Sequence, residues 1–179
     1  MDEFYLSARW KEVQGSIFNF DEEEESLIYH QSDAKIYIGR VKKLKLIGYA
    51  VFLFPTLQLH KENNMEELYL NAGWRVCYDC GGNNIMAKYY ENFEKTYIGK
   101  VKKMKLFEYA LILLPTLQLH KENNMEELYL SAEGRSFFDH ADDAYSFFET
   151  IVSDRKGLFE AGKLEHLKMG CYAVIFLPF

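Results

Sequence analysis

Apolar and polar residues alternate strictly at the start of each of three similar segments. In the middle segment Leu68, Leu70, Ala72, Trp74, Val76 and Tyr78 fall on one face, with Tyr69, Asn71, Gly73, Arg75 and Cys77 on the other. Phe4, Leu6, Ala8 and Trp10 repeat the pattern near the N-terminus. A period of two over this length predicts a strand with one buried face. A longer period follows each strand. Asn83 or Asn84 precedes a stripe of Ile85, Met86, Tyr89, Tyr90 and Phe93, and Asp139 precedes Ala141, Ala144, Phe147, Phe148, Ile151 and Val152. Asp21 stands likewise before Glu22 to Glu25. Each predicts an amphipathic helix whose capping side chain satisfies free N–H groups of the first turn.

Two further patterns complete a segment. Tyr49 to Phe54, with its copies at 109–114 and 172–177, is a short apolar run ended by Pro55, Pro115 or Pro178. Its length and its aromatic and β-branched content predict a strand covered on both faces and ending at an edge or bulge. Residues 35–46 and 95–106 fit either a short strand or a helical turn. Two alternating runs, Thr56 to His60 and Glu66 to Leu70, flank Lys61-Glu-Asn-Asn-Met65. Asparagine tolerates positive φ, so this junction predicts a β-hairpin.

That junction is duplicated. Pro55 to Leu70 recurs letter for letter as Pro115 to Leu130, inside a looser match with an offset of 60 residues. Met1-Asp-Glu-Phe-Tyr-Leu-Ser-Ala8 and Tyr172-Ala-Val-Ile-Phe-Leu-Pro178 supply a more worn third copy, split between the two ends. The repeat divides the chain into units 1–64, 65–124 and 125–179. Each reads β-α-β, and about 60 residues is marginal for a core standing alone. The expected fold class is therefore α+β: three tandem β-α-β units forming one mixed sheet with helices packed on it, ferredoxin-like in part.

Composition narrows the function classes. The 179 residues are 49% hydrophobic and 27% charged, as in a globular protein, and aromatics reach 16%. A net charge of −6 disfavours nucleic acid and anionic membranes as partners. No basic-then-apolar leader opens the chain, and no apolar run reaches the roughly 18 residues of a membrane span. Three cysteines fit a reducing compartment, so a cytoplasmic protein with no membrane association is expected.

Candidate chemistry is sparse. Cys77-Tyr-Asp-Cys80-Gly-Gly could form half a metal site or a redox pair, but no second Cys-x-x-Cys supplies the remaining ligands. His60 with Glu62, and His120 with Glu122, lack a nucleophile to activate, and Asp139-His-Ala-Asp-Asp143 reads as helix capping. No phosphate loop or catalytic triad signature is present. Ile47-Gly-Tyr-Ala-Val-Phe-Leu-Phe54 resembles the RNP1 strand of RNA-recognition motifs, and Leu68-Tyr-Leu70 the core of RNP2. That resemblance implies Tyr49 and Phe52 stacked on bases, with Lys42, Lys43, Lys45, Lys102, Lys103 and Lys105 on phosphates. The chain departs from the motif at Ile47, where a basic residue belongs, and at Glu108 in the second copy.

The reading that uses most of these features is a non-enzymatic protein-binding module of the small inhibitor, immunity or anti-defence kind, without cofactor. It would act through an aromatic sheet face and acidic helix ends. Its anchors would be Tyr5, Tyr69 and Tyr129, opposite the leucines, with Arg9, Arg75 and Arg135 beside them. A ferredoxin-like ligand-sensing or homo-oligomerising module is the alternative, and single-stranded nucleic-acid binding through the lysines a further one.

Overall fold

In the computed structural model, residues 1–8, 35–73, 95–132, 159–171 and 173 are described. They are mostly strand: β1 (Glu3–Ala8), β2 (Ile36–Gly39), β3 (Lys43–Gly48), β4 (Leu57–Leu59), β5 (Asn64–Ala72), β6 (Thr96–Glu108), β7 (Leu117–Leu119), β8 (Asn124–Ala132) and β9 (Lys163–Cys171). Two 3-10 helices, η1 (Tyr49–Thr56) and η2 (Tyr109–Thr116), separate β3 from β4 and β6 from β7. The predicted helices near Asp21, Asn83 and Asp139 lie outside the described residues.

The strands of the front sheet run in the order β1-β3-β5-β6-β8-β9, each parallel to its neighbours. Behind it β2 pairs with β4, and the first residues of β6 pair with β7, also in parallel. The chain therefore winds as a coil: back strand, corner, front strand, 3-10 helix, back strand, corner. Lys43 stands beside Glu67, 24 residues on, and Glu67 stands beside Lys103, 36 residues on. The 60-residue repeat is thus two coils, a short one and a long one.

Three sequence expectations are corrected here. The 56–70 junction is not a hairpin, because β4 pairs with β2 while β5 pairs with β3 and β6. The link between them is a corner, closed by Asn63 N–H donating to His60 O at 2.8 Å. With the hairpin goes the support for a ferredoxin-like arrangement, which needs antiparallel pairs. The 49–54 run is 3-10 helix rather than strand: Gly48, at φ 67°, turns the chain off the sheet, and Pro55 fits inside the helix that follows. Residues 35–46, ambiguous by pattern, form β2 and β3.

Alternation within each front strand builds the core. Leu44, Leu46, Leu68, Leu70, Met104, Leu106 and Leu130 point inward and are sealed. Against them pack Tyr49, Ala50, Val51, Phe52 and Phe54 of η1, and Ala110, Leu111 and Leu113 of η2. At about 25 cal/mol per Å² of apolar surface, this continuous inner layer is the main stabilising term. No coil holds it alone.

Candidate functional site

The other side of the front strands faces solvent, and parallel register lines its residues up in rows. Tyr5, Lys45, Tyr69, Lys105, Tyr129 and Lys168 are successive register partners across the sheet. One step toward the strand starts, Glu3, Lys43, Glu67, Lys103, Glu127 and His166 form a second row. A third contains Ser7, Ile47, Asn71, Phe107, Ser131 and Gly170. Neighbouring strands lie about 4.8 Å apart, so each row is a ladder of touching side chains.

The first row alternates aromatic and cation. Lys45 Nζ lies 4.8 Å from the ring centroid of Tyr69 and 5.6 Å from that of Tyr5. Such contacts are worth about 0.5–1 kcal/mol each at exposed positions. Phe107 sits between the two inner tyrosines, its centroid 5.1 Å from Tyr69 and 5.2 Å from Tyr129, edge-on to the latter. Tyr69, Phe107 and Tyr129 are half-buried by one another, whereas Tyr5, on the end strand, is 55% exposed.

The second row alternates in charge. Lys105 donates to Glu67 at 2.8 Å, and that hydrogen bond holds its ammonium above the usual lysine range despite partial burial. Lys168 donates to Glu127 and pulls that carboxyl below its ordinary value. Lys103 reaches Glu126 at 3.7 Å. Among the described residues Lys43 and Lys45 have no carboxylate in ion-pair contact, so the middle of the face keeps cations beside aromatic rings.

Tyr5, Tyr69 and Tyr129, picked out by alternation alone, thus occupy one row opposite the leucines. Arg9, Arg75 and Arg135 lie outside the described residues, as do Cys77, Cys80 and the 139–143 cluster. The lysine runs do not make one basic stripe. Lys42 pairs with Asp2 at 2.8 Å on the rim, Lys102 is exposed there, and Lys43, Lys45, Lys103 and Lys105 are interleaved with acids and tyrosines. The RNP-like reading of Tyr49 and Phe52 is corrected: both are core residues, 6% and 3% exposed, and present no ring to a base.

The histidines have a structural task. His60 Nδ1 accepts the Glu62 N–H at 3.1 Å, and His120 Nδ1 accepts that of Glu122 at the same distance. Each ring therefore closes a corner, with Nδ1 occupied as an acceptor. Asn63 and Asn123 were legible only as turn formers, yet both are buried and tie coil to coil. Their Oδ1 atoms accept the N–H groups of Val41 and Val101 at 2.9 and 2.7 Å. Phe107, Glu67, Glu127 and Lys168 carried no signal without the register. An available sign was Val41-x-x-Leu44-x-Leu46, which recurs from Met65, Val101 and Met125 and marks each front strand.

No known protein family, curated protein or solved structure matches the chain. Among the described residues no helix is long and apolar enough to cross a membrane.

Proposed function

We propose that this chain is a non-enzymatic binding scaffold that docks a protein partner on the solvent face of its front sheet. The observation that carries the reading is the Tyr69–Phe107–Tyr129 cluster flanked by Lys45 and Lys105. Large aromatic rings held rigid by their neighbours, with cations interleaved, are the chemistry of interface anchors, each worth about 2 kcal/mol when central. Stacked-coil proteins present such faces as extended binding surfaces. The coil itself resembles a leucine-rich repeat: 24 residues, a strand and a 3-10 helix, and an apolar residue three before a Leu-x-Leu or Met-x-Leu pair. It departs from that pattern three residues after the pair, where asparagine or cysteine is expected and Tyr49, Gly73, Tyr109 and Glu133 stand.

The test is a photo-cross-linking residue at position 107, compared with one at Gln118, exposed on the back layer. A protein captured from position 107 alone is then purified and titrated. Saturable binding, weakened at least about tenfold by Tyr69→Ala/Phe107→Ala/Tyr129→Ala with an unchanged melting temperature, supports the reading. Equal capture from both positions, or an affinity indifferent to the triple substitution, removes it.

A further inference from the structure

The front sheet ends in two unlike edges, and the interior shows that these edges fit each other. Its strands are of two kinds. β1, β5 and β8 carry Glu and Tyr outward (Glu3 and Tyr5, Glu67 and Tyr69, Glu127 and Tyr129), whereas β3, β6 and β9 carry two cations at the same positions. The kinds alternate without exception across the sheet. One end is therefore an acidic, tyrosine-bearing strand, and the other is a cationic strand with His166 and Lys168.

We propose that β9 of one copy of this chain pairs in parallel with β1 of a second copy, so that copies stack head to tail. The register is dictated by the two interior seams of the same kind, β3 with β5 and β6 with β8. Lys43 faces Glu67 there, and Lys45 faces Tyr69. By the same offset, His166 faces the next copy's Glu3, Lys168 faces its Tyr5, Leu167 its Phe4 and Met169 its Leu6. Every row then continues: cation beside acid, cation beside tyrosine, apolar beside apolar.

Three further observations support the pairing. Leu167 and Met169 are 43% and 42% exposed, though the residues in the same place on β3, Leu44 and Leu46, are sealed at 0%. Lys43 N–H donates to Asp2 O at 3.0 Å, so Glu3, Tyr5 and Ser7 direct their backbone groups away from β3. Lys163 N–H donates to Asn123 O at 3.1 Å, so Leu164, His166 and Lys168 direct theirs away from β8. Each end is thus a row of backbone donors and acceptors that templates another strand. Joining unlike edges is a heterologous contact, so it propagates rather than stopping at a symmetric dimer.

The full chain is examined by light scattering after size exclusion over a concentration series. The expected result is a mass rising with concentration in steps of 21.1 kDa. Ser7→Pro and His166→Pro each delete one outward N–H from an edge and should each weaken association about tenfold or more. Mixed together, the two variants retain one intact edge of each kind and should form a dimer that does not grow. Wild-type chain that stays monomeric overturns the proposal, as does a dimer of either variant alone or no dimer in the mixture. A second measurement avoids proline. Tyr5→Cys and Lys168→Cys chains, mixed and oxidised, should cross-link to each other, since within one copy these positions lie about 24 Å apart across five strand spacings. Cross-linking no faster than with Lys61→Cys, an exposed corner residue, also overturns it.

Discussion

The two short coils, residues 43–72 and 103–132, share a 16-residue block without a single difference, yet their corners are held differently. Asn63 and Asn123 occupy the same place, and each accepts one buried N–H. Only Asn123 also donates, from Nδ2 to Ala161 O at 3.1 Å, whereas the Nδ2 of Asn63 is buried without a partner. Duplication copies residues but not neighbours. In a stacked architecture the worth of a side chain is decided by the coil laid against it, one seam further on.

The glycines opposite these corners test that idea with the largest expected effect. Gly99, Gly162 and Gly39 all have φ between 71° and 80°. A Cβ on Gly99 would come within 2.5 Å of Asn63 O, and one on Gly162 would collide with Asn123 O in the same way. On Gly39 the nearest atom would be Tyr37 Cε1 at 3.9 Å, because the chain beside that corner is Met1 rather than an asparagine corner. Alanine should therefore cost about 3 kcal/mol or more at 99 and 162, and about 1 kcal/mol at 39, where only the backbone strain applies. Urea unfolding of the three variants measures it; equal losses would mean the corner contact is immaterial.

The asparagines come next. Asn123→Ala strands both the Val101 N–H and the Ala161 carbonyl, and should cost about 3 kcal/mol. Asn63→Ala strands only the Val41 N–H and also deletes an unsatisfied donor, so about 2 kcal/mol is expected. The order of the two values is the prediction, read from the same urea series.

Strand residues were legible where one face is buried. Leu68 and Leu70, with Tyr69 between them, alternate so plainly that the direction of the tyrosine followed from the sequence. What escaped was pairing. A parallel neighbour lies 24 or 36 residues away and leaves no local mark, so Tyr69 beside Lys105 was invisible, and Asn63 read as a hairpin turn when it is a buried tie. The exact repeat misled as well, since its 60-residue period is twice that of the coil. Tyr49 to Phe54 was misread because a fully buried 3-10 helix is apolar all round, like a doubly covered strand.

Gly48 and its copy Glu108 sharpen the comparison at smaller energy. Both leave the sheet with positive φ, 67° and 55°, and with ψ near −130°, a region natural to glycine alone. Glu108→Gly should therefore stabilise the protein by about 1 kcal/mol, raising its melting temperature. The converse change, Gly48→Glu, should cost at least as much. No change in either would show that the two exits carry no strain.

The smallest effect separates the two lysines that the repeat makes equivalent. Lys45 and Lys105 each stand between two tyrosines, but only Lys105 donates to a carboxylate, that of Glu67 at 2.8 Å. Half-exposed pairs of this kind contribute about 0.5 kcal/mol, so Lys105→Met should cost that much and Lys45→Met less. The sign with pH follows from the raised pKa of Lys105. Folding favours the protonated amine, so the contribution is complete below the unfolded lysine pKa of about 10.4 and disappears as pH climbs through the higher folded value. The stability gap between wild type and Lys105→Met should hold constant from neutral pH to about 10 and close above it. The gap for Lys45→Met should show no such dependence on a carboxylate: adding Glu67→Gln should shrink the cost of Lys105→Met and leave that of Lys45→Met unchanged. Equal shrinkage at both would mean that Glu67 serves the whole row rather than its one hydrogen-bonded lysine.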